Sequence, residues 1–390
     1  MSVPRATIYG PPSFQNRYAM ILILSPNTPT ENSEYQQLLA YLGRLPRIGF
    51  RVHQEAGAQQ ILTEIYLIGD TASLSLEDME SLPCVERVVR VSEEYRILGR
   101  HKDDHRPTHF EYNGVRFGQD NLNVFAGLCA VDTPEHVEMM MKALQEHGQV
   151  CTRMGAYKPR TSPYAFQGHG KACLPWVFEL AGKYGIKVIA MEVTHESHAD
   201  EIREALKQTG NPTGVMLQIG TRNTQNFELL KIVGRQREFP VLLKRGFGIT
   251  LDESLNAAEY LASEGNRNVV FGLRGMKTNM GDPHRNLVDF AHVPVVRRLT
   301  RMPVCVDPSH SVGARNRAPD GLLEIFHATL QGVIAGANMI LVDFHPAPAK
   351  ALVDGPQALL MEELPLFLEC VRNAREAYEK NVRLMGEANK

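Results

Sequence analysis

Residues 214–244 read GVMLQIGTRNTQNFELLKIVGRQREFPVLLK, two short apolar runs separated by an amphipathic stretch. The apolar runs predict β-strands at 214–219 and 240–244, and the stretch between them predicts a helix. The same alternation recurs along the chain, with further strands predicted near 124–128, 149–153, 187–192, 268–273, 302–306 and 338–343. Repeated strand–helix units are typical of a parallel sheet whose strands are connected by helices.

Eight such strands, each followed by a helical pattern, favour a closed (β/α)8 TIM barrel. A doubly wound open sheet is the alternative, but no G-x-G-x-x-G fingerprint follows the first strand. A charged amphipathic segment at 363–385 is expected to form the last helix around the barrel. We therefore predict an α/β protein in which residues 111–390 form a (β/α)8 catalytic barrel.

The residues before the barrel show a different order of elements. Residues 1–17 show no period and are expected to form an arm. The following pattern predicts, in order, a strand at 18–24, a helix at 31–45, strands at 51–53 and 61–67, a short helix at 76–82 and a strand at 85–91. This βαββαβ order is that of a ferredoxin-like domain. Because it holds no dense set of catalytic side chains, we predict a regulatory role for residues 1–110, with a structural cap as the alternative.

The composition of the 390-residue chain is that of an ordinary globular protein, 43% hydrophobic and 22% charged. Its 42 basic and 44 acidic side chains give a net charge of −2, so the chain as a whole has no reason to bind nucleic acid or an anionic membrane. No apolar run predicts a membrane span, and no leader pattern is visible at the N-terminus. The 6 cysteines are scattered, which favours a reducing cytoplasm over a disulfide framework.

Active sites of TIM barrels lie at the C-terminal ends of the strands, so ionisable residues that follow the predicted strands are candidate site residues. The cationic candidates are Arg153, Lys158, Arg160, Arg222, Lys244 and Arg274. So many cations at one mouth predict an anionic ligand with more than one charged group, such as phosphate and carboxylate. For any one of them, the alternative is an ion pair with a surface carboxylate.

A second set of candidates combines one thiol, one imidazole and two carboxylates. Its members are Cys129, His310, Asp343 and Asp354. They follow the first, seventh and eighth strands, which are neighbours in a closed barrel, so their side chains can meet. Mixed sulfur, nitrogen and oxygen ligands suit Mn, Fe, Co or Zn better than Ca or Mg. The alternative is a buried small cysteine and a loop histidine satisfied by backbone.

Several motifs resemble those of the type I DAHP synthases. They are GAYKPRTSP at 155–163, QIGTRN at 218–223, LKRG at 243–246, DPSHS at 307–311, HP at 345–346 and ALVDG at 351–355. The resemblance covers residues 120–360 in order. The N-terminal unit is similar to the feedback-regulatory domain of the β subgroup of that family. Altered versions of these motifs occur in related synthases that use phosphoenolpyruvate with a different aldose.

The resemblance implies the condensation of phosphoenolpyruvate with erythrose 4-phosphate and water to DAHP and phosphate, the first step of the shikimate pathway. By position it assigns phosphoenolpyruvate to Arg153, Lys158, Arg222, Lys244 and Arg274, the aldose phosphate to Arg160, Thr161 and Ser162, and one divalent metal ion (Mn, Co, Fe or Zn) to Cys129, His310, Asp343 and Asp354. It also implies an aromatic amino acid effector and a homo-oligomer, either a dimer or a tetramer.

The catalytic roles implied in this way belong to Lys158 and to the metal ligands Cys129 and His310. Lys158 lies close in sequence to Arg153 and Arg160, so we expect its pKa to be lowered and its amine to handle a proton.

Several positions depart from the family pattern, and three of them bear on the identity of the aldose. Leu128 stands where the family has a proline before the metal cysteine, Asp343 stands for a glutamate, and Met154 replaces a glycine beside the substrate loop, adding bulk there. Two alternatives therefore remain open. One is a synthase of the same superfamily that adds phosphoenolpyruvate to a different aldehyde, and the other is a weakly active or non-catalytic relative that binds the anion.

Overall fold

The computed structural model describes residues 18–56, 60–91, 95–101 and 106–388. The chain divides into two compact units, residues 1–96 and residues 97–390. The arm predicted at residues 1–17 lies outside the described residues.

The first unit is a four-stranded antiparallel sheet with two helices, and its strand order is β2-β3-β1-β4. In chain order its elements are β1 (Tyr18–Leu24), α1 (Ser33–Leu42), β2 (Ile48–Ala56), β3 (Ile61–Gly69), α2 (Leu76–Glu80) and β4 (Val85–Val91). Asn32 begins α1 because its side chain accepts a hydrogen bond from the amide of Glu34 at 3.0 Å. Leu22, Leu38 and Leu67 are fully buried between sheet and helices. The predicted ferredoxin-like order is confirmed.

The second unit contains an eight-stranded parallel sheet preceded by a hairpin. The hairpin consists of β5 (His109–Tyr112) and β6 (Val115–Gly118), and the eight strands are β7 (Asn123–Gly127), β8 (Cys151–Arg153), β9 (Val188–Val193), β10 (Gly214–Ile219), β11 (Val241–Lys244), β12 (Val269–Leu273), β13 (Val304–Val306) and β14 (Met339–Asp343). Parallel ladders run from β8 through to β14 in order and then from β14 to β7. The predicted TIM barrel is therefore confirmed.

The junction between β7 and β8 closes the barrel in a different way from the others. No ladder joins these two strands, and instead the Thr152 hydroxyl donates to the carbonyl oxygen of Ala126 at 2.7 Å. Gly127 lies so close to β8 that a Cβ there would stand 2.2 Å from the carbonyl oxygen of Arg153. A residue without a side chain is therefore required at the end of β7.

Helices follow the strands and surround the barrel. They are α3 (Pro134–Glu146), α4 (Leu174–Lys183), α5 (His198–Gln208), α6 (Phe227–Arg235), α7 (Leu251–Ser263), α8 (Val293–Leu299), α9 (Pro308–Val312), α10 (Glu324–Ile334) and α11 (Leu364–Ala388). The short α9 is an extra turn placed directly after β13, ahead of the outer helix α10. No helix in the described part of the chain is long and apolar enough to cross a membrane.

The β5–β6 hairpin covers the N-terminal end of the barrel, and the sequence analysis did not predict it. Val115 and Phe117 belong to the same buried cluster as barrel side chains such as Phe125 and Met216. The Tyr112 hydroxyl accepts a hydrogen bond at 3.0 Å from the amide of Val215, at the start of β10. Each fully buried side chain of this size stabilises the fold by about 1.5–3 kcal/mol. This end is filled with apolar groups, which leaves the opposite end for polar chemistry.

Candidate active site

A cavity of about 290 Å³ opens at the C-terminal ends of the barrel strands. Its polar lining includes Arg153, Lys158, Arg160, Thr161, Ser162, Glu192, Arg222, Lys244, Arg274, Arg285, His310 and Asp354. All the cations that the sequence analysis selected therefore meet around one cavity, together with Arg285, which it missed. Cys129 and Asp343 do not line the cavity, and both are buried.

Three of these cations form buried ion pairs inside the barrel. The ammonium of Lys158 lies 3.2 Å from Glu192 Oε2, and that of Lys244 lies 2.6 Å from Asp307 Oδ2. Arg153 forms an ion pair with Asp343. Burial of a charge is costly unless it is paired, and these partners meet that requirement. The paired cations form the floor of the cavity, and each is balanced by one carboxylate.

The remaining predicted cations differ from these three in their surroundings. Among the described residues, no acidic side chain lies within ion-pair distance of Arg160, Arg222 or Arg274. Arg222 donates to the Thr161 hydroxyl at 3.3 Å. Arg274 is only 2% exposed, its Nη1 has no hydrogen-bond partner, and burial lowers its pKa to about 10. The positive charge of these arginines is therefore available to an anion in the cavity.

The four predicted metal ligands come together beside this cavity. One ligand atom from each of Cys129, His310, Asp343 and Asp354 lies within 4.8 Å of the others. The Cys129 thiol donates to Asp354 Oδ2 at 3.1 Å, and its sulfur lies 3.8 Å from His310 Nε2. His310 Nε2 lies 3.5 Å from Asp354 Oδ2. A thiol, an imidazole and two carboxylates at these separations fit a borderline divalent metal ion.

Asp343 links this ligand set to the cationic floor. Its carboxylate pairs with Arg153 and accepts a hydrogen bond from the Gln357 amide. Its backbone amide donates to the Ser309 hydroxyl at 2.8 Å. Arg153 also approaches the Cys129 sulfur, with Nη2 at 3.7 Å. A metal ion bound here would therefore share Asp343 with a buried guanidinium group.

Asp307 orients the histidine of the ligand set, and the sequence analysis gave it no role. One oxygen caps α9 by accepting the amide of His310 at 3.1 Å and also lies 3.0 Å from His310 Nδ1. The other oxygen pairs with Lys244. This contact places the proton of the ring on Nδ1 and leaves Nε2 facing Cys129 and Asp354, the arrangement that metal-binding histidines use. The signal was an aspartate three residues before the histidine, a typical capping spacing.

The Cys129 thiol must lose its proton before it can serve as a metal ligand. Burial by itself would raise its pKa, but the positive charges of Lys158 and Arg153 outweigh burial and lower the pKa to about 7. The thiol of Cys151, buried in the barrel core, instead has its pKa raised by burial to about 12. The thiolate is the form of cysteine that binds metal. Of these two cysteines, only Cys129 can therefore form it near neutral pH.

The prediction that the pKa of Lys158 is lowered is wrong. Burial does act in that direction, but the negative charges of Cys129 and Glu192 outweigh burial and raise the pKa above its usual value. The ammonium also donates to the carbonyl oxygen of Cys129 at 3.0 Å. Lys158 therefore carries a proton near neutral pH.

A second group of possible metal ligands lies next to the first and consists of Asp132, His136 and His345. His345 Nε2 and His136 Nδ1 lie 2.7 and 2.8 Å from Asp132 Oδ2. His345 Nδ1 accepts the amide of Ala347 at 2.9 Å, so the proton of its neutral ring must be on Nε2. That nitrogen donates to Asp132 and has no lone pair for a metal. This group is a hydrogen-bonded brace between the loops after β7 and β14.

Two departures from the family pattern do not reach the cavity. Met154 and Leu128 are each 1% exposed, and neither is among the lining residues. The backbone amide of Met154 donates to the carbonyl oxygen of Ala190 in β9 at 3.1 Å, so its main chain is tied to the neighbouring strand. The extra bulk predicted near the aldose is therefore accommodated inside the protein.

The fold and the site together define a TIM barrel with a cation-lined cavity and a candidate metal centre. A model of the DAHP synthetase I family matches residues 96–380, and a model of the DAHP synthase ferredoxin-like domain matches residues 20–93. The chain belongs to the DAHP synthetase I family and carries that ferredoxin-like domain at its N-terminus. The family resemblance drawn from the sequence motifs is confirmed.

Individual relatives agree with this assignment. A phospho-2-dehydro-3-deoxyheptonate aldolase of Thermotoga maritima is 37% identical over 359 residues, 92% of this chain and 97% of the relative. A 2-dehydro-3-deoxyphosphooctonate aldolase of Legionella pneumophila is 30% identical over 282 residues, 68% of this chain and 97% of the relative. The crystal structure of a DAHP synthase from Thermotoga maritima matches with a TM-score of 0.67 at 33% identity, covering 93% of this chain and 98% of that one.

Proposed function

We propose that this chain condenses phosphoenolpyruvate with erythrose 4-phosphate and water to give DAHP and phosphate. The observation that carries the proposal is the cavity with three arginines, Arg160, Arg222 and Arg274, that lack carboxylate partners among the described residues. Guanidinium groups bind phosphate and carboxylate through paired hydrogen bonds, so a substrate pair with two phosphates and one carboxylate satisfies them.

The two substrates occupy different parts of the cavity. Arg222 and Arg274 hold the phosphate of phosphoenolpyruvate, and the floor cations Arg153, Lys158 and Lys244 face the rest of that substrate. Arg160, Thr161 and Ser162 lie together on one loop and hold the phosphate of the aldose. Holding both substrates in one cavity turns their encounter into an intramolecular step.

Cys129, His310, Asp343 and Asp354 would hold one divalent metal ion, Mn, Co, Fe or Zn, which when bound supplies Lewis-acid polarisation of the aldehyde. Asp307 keeps Nε2 of His310 directed at this position. As C3 of phosphoenolpyruvate forms a bond to the aldehyde carbon, C2 takes up water and releases phosphate, and the electron pair of the aldehyde C=O bond moves onto the aldehyde oxygen. The protonated Lys158 Nζ is the group that donates a proton there, and Glu192 holds it in place at 3.2 Å.

Replacing Arg222 with alanine is expected to weaken phosphoenolpyruvate binding. A hydrogen bond to a charged group contributes roughly 1.5–3 kcal/mol, so the dissociation constant measured by calorimetry should rise about 10- to 200-fold. Arg235→Ala is the matched control, because Arg235 lies on the following helix and pairs with Glu264 outside the cavity. Unchanged phosphoenolpyruvate binding in the Arg222 variant would show that this cavity is not the anion site.

We further propose that the N-terminal unit binds an aromatic amino acid and inhibits the barrel. The match to the ferredoxin-like domain of DAHP synthases supports this role. Allosteric coupling typically changes affinity about 5- to 150-fold. The test is to delete residues 1–96 and measure phosphate release with tyrosine and with phenylalanine. The truncated chain should keep its turnover and lose its inhibition.

The deletion point preserves the start of the barrel unit. The amides of Ile97 and Leu98 donate to the Glu259 carboxylate, and Gly99 forms a bridge to Thr300. A cut before residue 97 therefore leaves these contacts in place. Full-length chain at the same concentration serves as the control. Equal inhibition of both proteins by either amino acid would exclude the N-terminal unit as the effector site.

A further inference from the structure

The ring of Phe247 lies among three cations that come from neighbouring barrel loops. Its centroid is 4.7 Å from Arg274 Cζ, 5.6 Å from Arg222 Cζ and 5.8 Å from Lys277 Nζ. Arg222 follows β10, Phe247 follows β11, and Arg274 and Lys277 follow β12. Because β11 lies between β10 and β12 in the sheet, the ring of Phe247 lies between the cations that follow these two neighbouring strands.

Arg222 and Arg274 repel each other, and the charge of Arg222 is one of the influences that disfavour the charged form of Arg274. The buried cations Lys158, Lys244 and Arg153 instead pair with the carboxylates of Glu192, Asp307 and Asp343. A carboxylate placed between Arg222 and Arg274 would neutralise the charge that a substrate anion needs. The face of an aromatic ring attracts guanidinium groups and carries no net charge, so it leaves their charge available.

We propose that Phe247 is a positioning residue that holds the guanidinium groups of Arg222 and Arg274 side by side, so that both act on one phosphate group. The ring does not line the cavity, and its effect on a ligand passes through the two arginines. Lys277 is exposed and lies outside the lining, so the ring also attracts a cation that the cavity does not use. The proposal rests on the proposed function, in which Arg222 and Arg274 bind the phosphate of phosphoenolpyruvate.

The test compares ring-free and ring-containing variants of the full-length protein. Phe247→Leu is expected to raise the dissociation constant for phosphoenolpyruvate about 3- to 30-fold, the range that a cation–ring contact supplies. KM for phosphoenolpyruvate should rise with it while kcat stays unchanged. Phe247→Tyr keeps the ring and should bind as wild type does. Phe247→Met is a second ring-free variant that decides the question if Phe247→Leu does not fold.

The matched control is Phe227→Leu. Phe227 is also a partly exposed phenylalanine, but it stacks on Tyr260 at 4.8 Å between α6 and α7, outside the cavity. This variant should bind phosphoenolpyruvate as wild type does.

Two outcomes overturn the proposal. One is unchanged phosphoenolpyruvate binding in the ring-free variants, whatever their melting temperatures. The other is an equal loss of phosphoenolpyruvate affinity in Phe247→Tyr and Phe247→Leu, because the ring retained in Phe247→Tyr would then have no effect on binding. Failure of the proposed function has a different signature, in which Arg222→Ala itself leaves phosphoenolpyruvate binding unchanged.

Discussion

Replacing Cys129 with alanine is expected to abolish turnover and tight binding of a divalent ion. The variant keeps one imidazole and two carboxylates, and one of those carboxylates, Asp343, is already paired with Arg153. Loss of an outer-shell partner alone costs about 10- to 100-fold in metal affinity, so loss of a ligand should cost more than about 100-fold. The measurement is calorimetric titration of chelator-treated protein with Mn, Co or Zn, followed by a phosphate-release assay.

The control for this experiment is Cys151→Ala. Cys151 is equally a buried thiol, but it lies in the apolar cluster of the barrel interior and not in the ligand set. Its replacement should leave metal affinity unchanged. The metal assignment is wrong if Cys129→Ala binds one ion as tightly as wild type, or if chelator-treated wild-type protein retains full activity.

Replacing Asp307 with alanine is expected to lower both stability and metal affinity. Lys244 would be left buried without its partner, and breaking a buried ion pair in this way costs about 3–5 kcal/mol of unfolding free energy. His310 would also lose the contact that orients its ring, with a further loss of about 10- to 100-fold in metal affinity. Denaturant unfolding and metal titration measure the two effects separately.

The control variant Asp289→Ala separates a general loss of folding stability from a specific loss of metal affinity. Asp289 also forms a buried ion pair, with Arg245 at 3.1 Å, but it contacts neither His310 nor the other ligands. This control should lose stability and keep the metal affinity of wild type. Equal metal affinities in the two variants would contradict the orienting role of Asp307.

The architecture was predictable because each barrel strand is a short apolar run bounded by polar residues. The β5–β6 hairpin was missed although its turn carries a strong signal. Asn113 and Gly114 form a two-residue Asn-Gly turn, both with positive φ, between two short strands. Two adjacent strands joined by a tight turn do not fit a repeated strand–helix pattern, so that pattern does not predict the hairpin.

The residues of the candidate site were predictable for a geometric reason, since each lies at or after the end of a strand that faces the barrel mouth. Their partners were not, because a sequence does not say which carboxylate meets which cation. Arg285 illustrates the limit, since it belongs to a long loop after β12 and pairs with Asp354 at 3.2 Å. Lys158 illustrates it again, because the negative charges of Cys129 and of Glu192 on the next strand reverse the pKa shift that neighbouring arginines suggested.

The junction between β7 and β8 has no backbone ladder, unlike the other strand junctions of the barrel. Parallel ladders hold the 7 other junctions, whereas β7 and β8 meet through the Thr152 hydroxyl contact and the close approach of Gly127. Local opening begins where hydrogen bonds are fewest. The strands that would separate there end next to Cys129 and carry Arg153. On heating, we therefore expect these site residues to move apart before the surrounding helices unfold. Activity should then be lost at a lower temperature than helical structure.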